Sequence, residues 1–123
     1  MEMTQGLFSK TETLLGFCQQ VMGIFVEAKK SNQAADFHHE VLPFANKLKE
    51  ELESWYPLAK GWIVSVQPRN LHLEQLDSVI QQLEILAVQA FFPQTSMTRF
   101  HHMMHSVEFV LKGILNELHD DYV

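Results

Sequence analysis

This chain of 123 residues has little of what would stabilise a secreted protein or anchor a membrane protein. Its only cysteine, Cys18, cannot form an intramolecular disulfide, and a chain without disulfides is typical of a reducing compartment. Apolar stretches such as ILAVQAFF are far shorter than the roughly 20 residues that a membrane-spanning helix needs. No basic segment followed by an apolar run opens the chain. We therefore expect a cytoplasmic protein that neither crosses a membrane nor is secreted.

Positive charge is scarce as well. Nine Lys and Arg residues stand against fifteen Asp and Glu residues, which gives a net charge of −6 at neutral pH. The basic residues are spread along the chain and form no cluster. Because attraction to phosphates dominates the affinity of proteins for nucleic acid, we expect no nucleic-acid partner.

The apolar residues that are present recur with helical spacing along almost the whole chain. Near residues 5–30 they follow alternating steps of three and four, with Thr11 in the one gap, which places them on one helix face. The members of this first seam are Leu7, Leu14, Cys18, Val21, Phe25 and Ala28. Similar seams predict further helices near 36–66, 72–92 and 97–119. The seam of the second helix is predicted to run from Phe37 to Val66.

The second predicted helix contains Pro43 and Pro57. Each proline lacks a backbone donor and clashes with the carbonyl group one turn back, so we expect a kink or a break at each. Four amphipathic helices with short connections bury their apolar faces most economically in one shared core. We predict an all-α fold, an up-down four-helix bundle, in a single domain over 1–123. The expected core includes Trp55, Trp62, Leu83, Val107 and Leu111.

Several short segments resemble the YppE-like family of small proteins from Gram-positive bacilli. They are SNQAADF at 31–37, Pro43, Trp55, QPRNLHLEQL at 67–76, LAVQAF at 86–91, and Arg99-Phe100 ahead of SVEFVLKGILNEL at 106–118. The resemblance covers nearly the whole chain. It implies an all-helical bundle, in agreement with the periodicity, and it implies no activity, because no catalytic or ligand residues come with it.

One group of residues on the fourth helix has the spacing of a metal site. His101, His105 and Glu108 fall on one stripe at the edge of the apolar face, and two histidines one turn apart can share a divalent ion. The alternative is a solvated polar flank, because Lys112 on the same stripe can pair with Glu108. The flank explains the residues without a cofactor, and we expect none.

A second enzymatic interpretation uses Arg99 and His105. An arginine followed by a histidine at this distance resembles the short motif of helical-bundle ribonucleases of the HEPN class. The match is poor, because Phe100 stands on the core face where that motif usually has a polar residue. The acidic net charge also disfavours RNA.

Some apolar residues lie on the side of their helix that faces away from the predicted core. Ile85, Val88 and Phe92 form a second stripe on helix three, and Phe109 projects about 180° from the core face of helix four. These four residues are candidates for a homodimer or partner interface. The alternative is that another part of the same chain covers them. Gly16 and Gly23, on the outer face of helix one, are further indications of an interface, because a glycine in an exposed helix costs stability relative to alanine.

Three classes of function are therefore open. We expect a protein-interaction module without catalysis, and the alternatives are the metal-binding bundle and the ribonuclease-like bundle. The interaction module predicts a homodimer or a complex with another protein. Cys18 lies on the inner face of helix one, where a buried thiol keeps a high pKa, so we expect it to serve packing.

Overall fold

The computed structural model describes the backbone of residues 2–122 and the side chains of residues 4–119. Its elements are α1 (Glu2–Ser31), a π-helical turn (Phe37–Val41), α2 (Leu42–Val66), α3 (Leu73–Gln89) and α4 (Met97–Tyr122). Residues 2–122 contain no strand, so the all-α prediction is confirmed. Over the same residues, no helix combines the length and apolarity that crossing a bilayer requires.

The four helices pack around one core in the order in which they occur along the chain. The extensive contacts join α1 to α2, α2 to α3, α3 to α4, and α4 back to α1. Short connections make sequence neighbours antiparallel, and this closed order is that of an up-down four-helix bundle. The fold prediction is therefore confirmed. It places α2 diagonally opposite α4.

The core follows the predicted seams. Trp55, Leu83, Val107 and Leu111 are fully buried, and Trp62 is nearly so. Removing one such large apolar side chain from water contributes roughly 1.5–3 kcal/mol, which explains why one-sided seams drive the bundle. Every member of the predicted α1 seam is buried as well.

The start of α2 differs from the prediction of one helix from residue 36. Asp36 caps a separate π-helical turn through its Oδ1, which accepts a hydrogen bond of 3.0 Å from the His39 backbone. In a π-helical turn the amide bonds to the carbonyl five residues back, which widens the turn just ahead of Pro43. The widening gives room to a proline that would clash with an α-helical carbonyl. At Pro57, in contrast, α2 continues to Val66.

The prediction that the buried seam of the second helix begins at Phe37 is wrong. Phe37 is 47% exposed, because the wider turn changes the rotation per residue and turns this ring away from the core. Val66, the last residue of α2, is exposed as well. The seam between these two ends is largely buried.

The connection between α3 and α4 begins earlier than predicted. α3 ends at Gln89 rather than near 92, because the amides of Phe91 and Phe92 bond to carbonyls three residues back and tighten the chain into a turn. Lys29 of α1 fixes this turn. Its ammonium donates to the carbonyl oxygens of Pro93 and Thr95 at 2.7 and 2.5 Å.

Candidate functional site

The fourth helix forms one wall of a groove of about 610 Å³, which we call the α1–α4 groove. Its lining residues come from α1, α4 and the α2–α3 connection: Met22, Asn70, Leu71, His101, Met104, His105, Glu108, Phe109, Lys112, Gly113, Asn116 and Glu117. The structure therefore brings together the three predicted metal ligands and one of the four predicted interface residues. They share the groove because they lie on neighbouring stripes of α4.

His101 packs edge-on against the ring of Phe25 on α1, with the ring centroids 5.9 Å apart and the planes at 86°. Phe25 in turn stacks on Phe100 at 3.9 Å with the rings nearly parallel. This aromatic packing holds the start of α4 against α1. The imidazole of His101 thus covers an apolar surface while it remains exposed to solvent.

The polar residues of the stripe satisfy one another in part. The Glu108 carboxylate lies 3.9 Å from the Lys112 ammonium, one turn away on the same helix. This is the pairing that the flank interpretation predicts. Among the residues whose side chains are described, no three His, Cys, Asp or Glu side chains are arranged to hold a metal ion.

The thiol of Cys18 is buried in the core near this stripe. Burial raises the pKa of the Cys18 thiol to about 12, and the nearby charge of Glu108 contributes to the rise. The thiol is therefore protonated and unreactive at neutral pH, as the sequence predicts.

Arg99 and His105, the two residues of the ribonuclease interpretation, both lie on α4, six residues apart. Arg99 lies in the first turn of α4, where its backbone amide donates to Ser96 Oγ at 3.3 Å, and its side chain does not line the groove that contains His105. Phe100 is fully buried.

The predicted interface residues lie on more than one surface. Ile85 and Val88 line a second groove of about 800 Å³, the α2–α3 groove. Its other lining residues are Ala45, Asn46, Lys49, Gln81, Glu84 and Gln89. Phe109 is 69% exposed on the α1–α4 groove, and Phe92 is half-buried and lines neither groove. The alternative that the chain itself covers these residues is thus wrong for Ile85 and Phe109.

Sequence reasoning missed a third groove, which we call the α1–α2 groove and which has a volume of about 670 Å³. It is lined by Gln20, Gly23, Ile24, Glu27, Ala28, Ser31, Gln33, Ala34, Ala35, Glu40, Phe44 and Phe91. Its two aromatic residues, Phe44 and Phe91, contact each other edge-on with their ring centroids 5.8 Å apart, and Phe44 also contacts the buried ring of Phe17 at 5.7 Å. The one signal in the sequence was Gly23 on the outer face of α1.

The sequence profile of a bacterial domain of unknown function, DUF1798, matches residues 11–118. The chain belongs to this family. The DUF1798 chain is also 24% identical over 116 residues to the uncharacterised protein YppE of Bacillus subtilis, and the match covers 94% of both proteins. The resemblance that the sequence motifs indicate is therefore confirmed.

Solved structures show the same fold. A Listeria innocua protein of unknown function superposes with a TM-score of 0.93 at 21% identity, over 98% of this DUF1798 chain and 96% of its own. The crystal structure of B. subtilis YppE gives 0.89 at 24% identity, over 95% of both chains. A DUF1798 protein of Staphylococcus aureus gives 0.84 at 22% identity, over 91% of this chain and 95% of its own.

Proposed function

We propose that this DUF1798 protein is a non-catalytic interaction module that contacts another protein chain through apolar side chains exposed on α3 and α4. The observation that carries the proposal is Phe109. Its ring is 69% exposed on α4, where it edges the α1–α4 groove beside Leu71 and Gly113. Large apolar side chains exposed at the edge of a groove are typical of protein contact sites.

A second apolar surface, the α2–α3 groove, supports the proposal. Ile85 is 44% exposed and shares the α2–α3 groove with Val88 and Ala45. The charged residues of this groove, Lys49 and Glu84, come from α2 and α3 respectively. An apolar centre with a polar rim is the usual anatomy of an interface between soluble proteins.

We assign the module to the cytoplasm. The assignment is supported by the single free thiol of Cys18, which is buried and takes part in no disulfide.

The test places charge in both grooves, with Val88→Lys in the α2–α3 groove and Phe109→Lys in the α1–α4 groove. A variant with Val88→Lys and Phe109→Lys is compared with a matched control, Ser78→Lys with Ser106→Lys, which adds the same charge to exposed positions on the same two helices outside the grooves. Self-association is measured by sedimentation over a wide range of concentrations. Complexes in cells are measured by site-specific photocrosslinking from position 85, in the α2–α3 groove, and from position 112, in the α1–α4 groove. The variant with Val88→Lys and Phe109→Lys is expected to abolish the crosslinked complex, because burying an ammonium in an apolar contact is costly.

The control variant with Ser78→Lys and Ser106→Lys is expected to leave the same complex intact. If the groove variant and the control variant reduce the complex equally, the two grooves are not the contact site and the proposal is wrong. A chain that sediments as a monomer at all concentrations and yields no crosslinked species would also overturn it. Circular dichroism separates these results from unfolding, which would mean that Val88 or Phe109 is needed by the fold itself.

A further inference from the structure

The α1–α2 groove combines an apolar floor with charge of one sign. Phe44, Phe91 and Ile24 supply the large apolar surface, and Ser31 at the end of α1 and Ala34 and Ala35 in the connection after it line the groove as well. The groove's only charged lining residues are Glu27, on α1, and Glu40, in the π-helical turn. Both are acidic, so a cationic group fits the rim better than an anionic one.

The position of Glu40 is fixed by the fold. Its Oε2 accepts a hydrogen bond of 2.8 Å from the Asp36 amide, while Asp36 caps the same turn through the His39 amide. This reciprocal capping holds the Glu40 carboxylate in place where Glu40 lines the groove. Glu27 is exposed on the α1 wall. The two carboxylates thus flank the aromatic floor from different elements.

Gly23 leaves the α1 wall of the groove open. A Cβ atom added at Gly23 would meet no other atom within 4 Å, so packing of the monomer does not require a glycine there. A glycine at an exposed position inside a helix costs roughly 1 kcal/mol relative to alanine. The missing side chain gives a ligand room to approach the backbone of α1.

We propose that the α1–α2 groove binds a basic amphipathic helical segment of another protein, with an apolar side chain against Phe44 and Phe91 and Lys or Arg side chains toward Glu27 and Glu40. An apolar groove with charge on its rim is a known mode of helix recognition. The charge of the rim selects the partner, because two carboxylates repel acidic segments and anionic lipid surfaces. This inference is independent of the α3 and α4 surface and goes beyond the function proposed for it.

The first measurement uses two designed probes with the full chain. One is a fluorescein-labelled 14-residue amphipathic helix built from Leu and Lys, and the other replaces every Lys by Glu. Fluorescence anisotropy is expected to show saturable binding of the basic peptide that weakens with added salt. The acidic peptide is expected not to bind.

The second measurement locates the binding with matched variants. Gly23→Leu fills the groove wall, whereas Gly16→Leu adds the same side chain to α1 at a position that also has open space and does not line this groove. We expect roughly tenfold weaker binding of the basic peptide from Gly23→Leu and no change from Gly16→Leu. Charge is tested by Glu27→Lys against Glu12→Lys, an exposed position on the same helix outside the groove.

We expect Glu27→Lys to weaken binding severalfold and Glu12→Lys to have little effect, because only Glu27 lies on the rim. This charge pair also keeps the test valid if Gly23→Leu disturbs α1. Equal losses from both glycine variants or from both glutamate variants would show attraction to the acidic surface as a whole and overturn the proposal. Equal binding of the basic and acidic peptides would overturn it, as would no binding of the basic peptide.

Discussion

The indole nitrogen of Trp55 donates a hydrogen bond of 3.0 Å to the hydroxyl oxygen of Thr11 inside the core. The Thr11 hydroxyl in turn donates to the Leu7 carbonyl at 2.7 Å, so one buried side chain links α1 to α2 and satisfies two polar groups. Thr11 fills the single gap in the apolar seam of α1. Thr11 therefore interrupts the apolar seam because its hydroxyl accepts the hydrogen bond of the buried Trp55 indole.

Replacing Thr11 by Val should destabilise the protein by about 1–3 kcal/mol, because the Trp55 indole N–H would stay buried without an acceptor. Urea unfolding followed by tryptophan fluorescence measures the change. Thr13→Val is the matched control, since Thr13 makes the same type of bond to Ser9 on the exposed face of α1. Equal effects from the two substitutions would show that the bond to Trp55 is not what matters.

Leu111→Ala should cost roughly 2–5 kcal/mol, because Leu111 is fully buried and its removal leaves a cavity. Phe109→Ala, two residues earlier on the same helix, should change the free energy of unfolding by less than about 0.5 kcal/mol. Thermal or urea unfolding compares the two. A neutral Leu111→Ala variant would refute the assigned face of α4.

Lys29→Met should loosen the α3–α4 connection. The substitution keeps the aliphatic length and removes the donor that binds the Pro93 and Thr95 carbonyls. Loss of these charged hydrogen bonds should cost roughly 1–3 kcal/mol. Hydrogen exchange should speed up at residues 90–96. Lys30→Met, at an exposed neighbouring position, should leave exchange unchanged, and acceleration by both variants would argue against a specific anchor.

Cys18 should resist alkylation by iodoacetamide at neutral pH in the folded protein and react after unfolding in urea. Its pKa rises from 9.0 to about 12 on folding, so the folded state holds the thiol proton more tightly. This contribution to stability is complete below pH 9 and is lost as the pH rises toward 12. Cys18→Ala should therefore weaken the alkaline decline in melting temperature. Rapid alkylation of the folded protein would contradict the buried placement.

Excess Zn²⁺, Mn²⁺ or Ni²⁺ should not raise the melting temperature at neutral pH. We expect this because the Glu108–Lys112 pair and the packing of His101 on Phe25 account for the stripe without an ion. A metal bound only by the folded state must stabilise it by mass action. Several degrees of stabilisation that vanish in a His101→Ala, His105→Ala double variant, but persist in His102→Ala, would establish the metal site instead.

The sequence by itself determined the helices and their inner faces. Leu7, Leu14 and Val21 on α1, and Val107 and Leu111 on α4, are buried where the spacing predicts, because a one-sided apolar stripe has only one stable environment. Short connections then leave antiparallel neighbours as the simplest arrangement. The shared stripe of His101, His105 and Glu108 was equally predictable, since residues on one helix keep their spacing in any fold.

Only the tertiary structure decided what lies between helices. The end of α3 at Gln89 depends on a turn that Lys29 fixes from a distant helix, and no local periodicity contains that partner. The separation of Ile85 from Phe109 into two grooves depends on which neighbours flank each helix. The α1–α2 groove joins residues of α1, the connection after it, the π-helical turn and α2 with Phe91, which is distant from them in sequence. Periodicity determines which side of one helix faces the core, whereas a groove forms only when several elements pack together.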